Sequence, residues 1–151
     1  MIEGVRIKEL KLNVDERGSL MEILRSDDEI FERFAQVYVS LNYPNVIRAW
    51  HYHKKQDDLF VVVKGMVKVV LYDSRPDSPT RNELNEFFLG ERNNVVLRIP
   101  RGVMHGYKTV GTEPSLLLNF PTELYNRTEP DEFRVPYDSE EIPYDWALKH
   151  K

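Results

Sequence analysis

His51 and His53 stand two residues apart in Arg48-Ala-Trp-His51-Tyr-His53-Lys-Lys-Gln-Asp-Asp58, so an extended backbone puts both imidazoles on one face. The amide and acids of Gln56-Asp57-Asp58 follow, just ahead of a β-branched run that ends at Lys64-Gly65. A third histidine closes the segment Pro100-Arg-Gly102-Val-Met-His105, so the two stretches hold three of the chain's four histidines. Imidazole exchanges a proton near neutral pH and also binds transition metals. These residues can therefore supply a proton-transfer base or, together with a carboxylate, a metal site.

The elements that must position them read as strands. Leu59 to Val63 and Met66 to Tyr72 are Val-rich runs joined by the tight connection Lys64-Gly65. Ala35, Val37, Val39 and Leu41 alternate with polar residues, the period of a half-buried strand, and Tyr43-Pro44-Asn45 breaks that run before an extended stretch from Ile47 to His53. Val95 to Ile99 and Leu116 to Phe120 add two more strands. Near the N-terminus, Val5, Ile7, Leu10 and Leu12 alternate with one slip near Lys8-Glu9, and a turn at Asp15-Glu-Arg17-Gly18 leads to a strand over Leu20 to Leu24. Ser26-Asp-Asp-Glu29 has the capping-box pattern with Ile30, Phe31 and Phe34 at helical spacing behind it, which predicts a short helix near residues 27–34. Many short strands and one helix indicate an all-β sandwich or barrel, and no repeat or linker divides residues 1–151 into more than one domain.

Composition narrows the function classes. With 21 Lys plus Arg against 25 Asp plus Glu, the net charge of -4 gives no general attraction to nucleic acid or to an anionic membrane. The N-terminal Met1-Ile-Glu-Gly-Val-Arg lacks the apolar run of a signal peptide and no stretch reaches membrane-spanning length, so a cytoplasmic location is expected. The absence of cysteine excludes disulfides and thiol catalysis.

The two histidine segments together resemble the motif pair of cupins. His51, His53, Asp58 and Gly65 match the first motif, and Pro100, Gly102 and His105 match the second. The resemblance implies one cupin domain, a double-stranded β-helix or jelly roll. Within the cupins the chain is similar to the dTDP-4-dehydrorhamnose 3,5-epimerase family over about residues 15–146. Asp15-Glu-Arg17-Gly18-Ser-Leu-Met-Glu22 resembles that family's Asp-x-Arg-Gly-x-Phe-x-Glu, and Val46-Ile-Arg48-Ala-Trp-His51-Tyr its Val-Leu-Arg-Gly-Leu-His-Tyr. Phe34-Ala-Gln36, Ile99-Pro100-Arg-Gly102-Val-Met-His105, Tyr125-Asn126 and Tyr137-Asp138-Ser139 complete the set.

What this resemblance implies is an isomerase that removes and returns a proton next to the 4-keto group of a dTDP-4-keto-6-deoxyhexose. His51 would be the base, Asp138 its orienting partner and Tyr125 the general acid on the opposite face. Arg17, Glu22 and Arg48 would contact the nucleotide and diphosphate, and Gln36 and His105 would line the sugar pocket. A nucleotide-diphosphate sugar is the implied partner, with no cofactor and a homodimer that exchanges N-terminal strands. Two departures open an alternative. Asp58 stands where the family carries a lysine that stabilises the developing enolate, and His53 stands where it has glutamine. Together they restore the first cupin motif, so His51, His53, Asp58 and His105 could instead ligate a divalent transition metal, with His51 then unable to act as a free base. A sugar-binding cupin without turnover is a further alternative.

Overall fold

The structure is a computed structural model that describes residues 1–149. Among the described residues twelve strands run in chain order as β1 (Arg6–Glu9), β2 (Leu12–Asp15), β3 (Gly18–Met21), β4 (Tyr38–Asn42), β5 (Ile47–Tyr52) and β6 (Asp58–Lys64), then β7 (Met66–Tyr72), β8 (Leu84–Gly90), β9 (Val95–Ile99), β10 (Met104–Val110), β11 (Ser115–Asn119) and β12 (Phe133–Arg134). Two antiparallel five-stranded sheets have the orders β1-β9-β6-β11-β4 and β12-β5-β10-β7-β8, and β2 and β3 form a separate hairpin. Neighbours in the sheets are mostly distant in sequence, as the jelly roll expected from the motif pair requires.

The inner faces of the sheets pack against each other. Phe60 and Val62 of β6, Leu97 of β9 and Leu117 of β11 meet Val67, Val69 and Leu71 of β7 and Leu89 of β8. The alternation that marks these runs in the sequence is thus the alternation between core and outer face. The β6–β7 connection depends on Gly65, whose φ is +71° and where a Cβ would lie 2.8 Å from the Pro114 carbonyl oxygen.

The short helix expected near residues 27–34 is not formed; no helix occurs among the described residues. The segment makes separate turns, with Asp28 N–H donating to the Arg25 carbonyl (3.2 Å) and Phe31 N–H to the Asp28 carbonyl (3.0 Å). Tertiary partners outweigh the local helix preference. The Asp28 carboxylate accepts from Arg25 N–H and pairs with Lys8, Ile30 is buried against Leu59, Val61 and Val96, and the Ile30 carbonyl accepts from Arg98. Phe34, counted on the helix face, is 66% exposed. The first strand breaks at Leu10-Lys11, and the second ends at Met21. No helix among the described residues is long and apolar enough to cross a membrane.

Candidate active site

A cavity of about 510 Å³ opens between the two sheets at one end of the roll. One sheet contributes Tyr38 and Ser40 of β4 and Asp58 and Phe60 of β6; the other contributes Arg48 and His51 of β5, His53 just beyond it, and His105 and Tyr107 of β10. The segment from Glu123 to Glu132 covers the mouth with Tyr125, Asp131 and Glu132. Arg48 and His51 share this wall although three residues apart, because β5 and β10 pair out of step. His105 faces His51 and Tyr107 faces Arg48, so two residues on β10 span three on β5.

His51 receives its partner from the covering segment. Its Nδ1 lies 3.1 Å from Glu132 Oε1, and Arg134 donates to the same oxygen at 2.7 Å. Burial works against the Glu132 charge, but the bonds from Arg134 outweigh it and keep the carboxyl below its usual range. Burial, and then the neighbouring His105, push His51 below the ordinary imidazole value despite Glu132. A neutral ring beside a carboxylate that can only accept must carry its hydrogen on Nδ1, which leaves the lone pair on Nε2.

Asp58 is the hub of a second cluster on the opposite wall and is 2% exposed. Its Oδ1 accepts from Gln56 Nε2 and Asn119 Nδ2, each at 2.9 Å. Its Oδ2 lies 3.2 Å from His53 Nε2 and 3.2 Å from His105 Nε2. Burial alone would raise this carboxyl, yet the bonds to His105 and His53 hold it far below the usual range. Burial likewise disfavours charge on His53, and Asp58 more than compensates. Asn119 also donates to Tyr38 Oη at 2.8 Å, leaving the phenol hydrogen free, and burial with the Asp58 charge keeps that phenol protonated. Asp57, one residue earlier, points the other way and binds Arg98 and Arg101.

Of the residues singled out in the sequence, Arg48, His51, His53, Asp58, His105 and Tyr125 line this one cavity. Gln36 stands behind it, its Oε1 accepting from the Tyr125 N–H at 3.3 Å. Asp138 is elsewhere: it lines a separate groove with Ile47, Lys108 and Trp146, and the carboxylate on His51 is Glu132. After β12 the chain pairs once more through Val135 with Trp50, then turns at Pro136 to Ser139, which carries Asp138 away from the mouth. Arg17 and Glu22 sit on or just after the β2–β3 hairpin, exposed, paired with Asp15 and Arg25. The alternative four-residue metal set is divided, since His53, Asp58 and His105 converge while His51 turns to Glu132. Nothing in the sequence singles out Glu132 and Arg134, since β12 is two residues long and carries no periodic signal, or Tyr38 and Asn119, which are ordinary polar positions at the start of β4 and the end of β11.

Residues 1–151 match the family model described as dTDP-4-dehydrorhamnose 3,5-epimerase. The "Spore coat polysaccharide biosynthesis protein SpsL" of Bacillus subtilis is 45% identical over 151 residues, covering 100% of both chains. The "Probable low-salt glycan biosynthesis epimerase Agl13" of Haloferax volcanii is 50% identical over 147 residues, 96% of this chain and 94% of that one. Among solved structures, a dTDP sugar isomerase from Desulfovibrio desulfuricans G20 superposes with a TM-score of 0.92 at 34% identity, covering 99% of this chain and 94% of the other.

Proposed function

Because the chain belongs to the dTDP-4-dehydrorhamnose 3,5-epimerase family, we propose that it isomerises a dTDP-4-keto-6-deoxyhexose by moving a proton on a carbon next to the keto group. The single observation that carries this reading is the setting of His51 at the cavity wall: its Nδ1 lies 3.1 Å from Glu132 Oε1, so a neutral ring carries its hydrogen there and keeps Nε2 for a proton. A carbon acid beside a carbonyl needs such a base, poised near neutral pH and fixed in one tautomer.

The proton passes from the sugar carbon to His51 Nε2, and the electron pair of the broken C–H bond moves into the ring to give an enolate at the keto oxygen. Glu132 stabilises the imidazolium that forms. The phenol of Tyr125, at the mouth of the same cavity, returns a proton to the carbon from the opposite face, which inverts the centre. The lysine that serves the enolate in the family is absent, and Asp58 in its place has Oδ1 occupied by Gln56 and Asn119. The free hydrogen of Tyr38 supplies a donor for the enolate oxygen from the same wall.

Arg48 gives the wall a guanidinium suited to a diphosphate, since a guanidinium donates two parallel hydrogen bonds to it. His105 lines the sugar end, and Gln36 holds the covering segment at Tyr125. Arg17 and Glu22 act in a homodimer: the hairpin that presents them also exposes Leu12, Val14 and Leu20, an apolar surface for a second copy. The test is hydrogen exchange. In heavy water the enzyme should place deuterium on a carbon flanking the keto group, and His51→Ala should abolish that incorporation; substrate that binds without exchange would favour a sugar-binding protein without turnover.

A further inference from the structure

We propose that Asp131 is a positioning residue, a clasp that sets Glu132 against His51 by gripping the connection between β5 and β6. Its carboxylate gathers three consecutive backbone N–H groups of that connection. Oδ1 accepts from Lys54 at 3.0 Å, and Oδ2 accepts from Lys55 at 2.8 Å and from Gln56 at 3.3 Å. These amides lie between strands, where no sheet partner takes them, so the carboxylate satisfies donors that would otherwise meet water. The main-chain carbonyl of the same residue accepts from His53 Nδ1, and the next residue in the chain is Glu132, 3.1 Å from His51 Nδ1.

The need for a clasp follows from how Glu132 is otherwise held. β12 begins one residue after it, is two residues long and lies at the edge of its sheet, and so short an edge pairing opens readily. On the other side the chain from Leu124 to Pro130 is exposed. Asp131 fixes the backbone on the side that β12 leaves loose. Thr122 fastens the far end of the covering segment to the same connection, its Oγ1 accepting from the Asp57 N–H at 2.9 Å and its own N–H donating to the Asp57 carbonyl at 3.0 Å. Both ends of the loop that carries Tyr125 thus rest on residues 54–57, as in a compact loop closed at its neck.

The chemistry asks for a carboxylate at this position. A charged acceptor makes stronger bonds than an amide, and an asparagine would turn its NH2 against at least one of the three N–H groups. Phe133, its ring centre 5.0 Å from that of Tyr52, holds β12 without help from Asp131, so loss of the clasp loosens Glu132 and leaves the sheet in place. An imidazole without its carboxylate populates both tautomers, and one of them has no lone pair on Nε2. The effect of Asp131 on rate rests on the isomerase reading; its effect on the His51 ring does not.

The test reads the ring itself. In the full chain labelled with nitrogen-15, at a pH where the imidazole is neutral, the His51 ring signals are assigned by their loss in His51→Gln. The parent should show hydrogen on Nδ1 alone, and Asp131→Ala should show a mixture of the two tautomers. Should Asp131→Ala fail to fold, Asp131→Asn, which keeps the side chain's size and one acceptor oxygen, carries the same test. Thr122→Val loosens the other end of the loop and should leave the ring signals as in the parent. In the exchange assay Asp131→Asn should lower kcat about tenfold or more and keep KM within about threefold. Parental ring signals in the folded Asp131 variant, an equal disturbance in Thr122→Val, or a rise in KM with kcat unchanged would overturn the proposal. If the parent moves no deuterium, the isomerase reading falls while the ring signals still decide what Asp131 places.

Discussion

Two positions separate His51 from His53, yet their backs rest on different groups: Glu132 in one case, the Asp131 carbonyl in the other. That difference ties one ring to the covering segment and makes the other a member of the Asp58 cluster. Glu132→Gln should keep the fold but lower turnover about 10- to 100-fold, because an amide can place its N–H against Nδ1 and no longer stabilises the imidazolium. Asp138→Asn should stay within about threefold of the parent, since Asp138 lines a different groove. Steady-state rates of the two variants check this, and the reverse order would return the orienting role to Asp138. Tyr38→Phe should lower kcat more than it raises KM, because it removes a donor needed chiefly for the enolate. The histidines, Asp58 and Arg48 were legible in the sequence because motif spacing carries residue type. Glu132 was not, since its meeting with His51 crosses 81 positions and depends on where β12 docks.

At the scale of elements, the Val-rich strands declared themselves while β10 did not. Met104-His-Gly-Tyr-Lys-Thr-Val contains a glycine that strand propensity disfavours, and the reason is steric. A Cβ at Gly106 would lie 2.3 Å from the Ala49 Cβ, so only glycine lets β10 and β5 approach closely enough to pair His105 with His51. Gly106→Ala should destabilise by about 1–3 kcal/mol by overpacking, readable as a lower urea midpoint. The loop expected to be helical is instead strapped to the roll by ions. Asp57 binds Arg98 and Arg101, and both arginines also reach Glu32. Burial opposes the Asp57 charge, but the Arg101 backbone N–H and the two guanidiniums outweigh it, so its folded-state value lies below the unfolded one. Such a group contributes stability above its unfolded value near 3.9 and loses it as pH falls through the lower folded value. Asp57→Asn should therefore be clearly less stable than the parent at pH 7, and the gap should narrow on acidification below about 4. Urea denaturation at both pH values tests the sign.

For the whole molecule, two sheets that pack a common core diverge at one end and leave the cavity between them. The jelly roll was legible because the motif pair on His51, His53, Asp58 and Gly65 and on Pro100, Gly102 and His105 stands in order, each beside a Val-rich strand. The absence of a helix near residues 27–34 was not, because Lys8, Arg98 and the Ile30 pocket that hold the segment lie far off in sequence. The exposed apolar hairpin and the outer face of β4, with Val39 and Leu41 exposed, suit a second copy. Light scattering should find a dimer, and Val14→Glu with Leu20→Glu should give a folded monomer of much lower activity. A dimer unchanged by that pair would move the interface elsewhere. The proposed reaction turns on whether His51 takes a proton from carbon. Incubating the protein with a dTDP-4-keto-6-deoxyhexose in heavy water and following the ring protons by NMR measures it directly. Deuterium should enter at a carbon flanking the keto group, with incorporation reduced about 100-fold or more in His51→Ala; no exchange above the enzyme-free rate, or exchange at the parental rate in that variant, would contradict it.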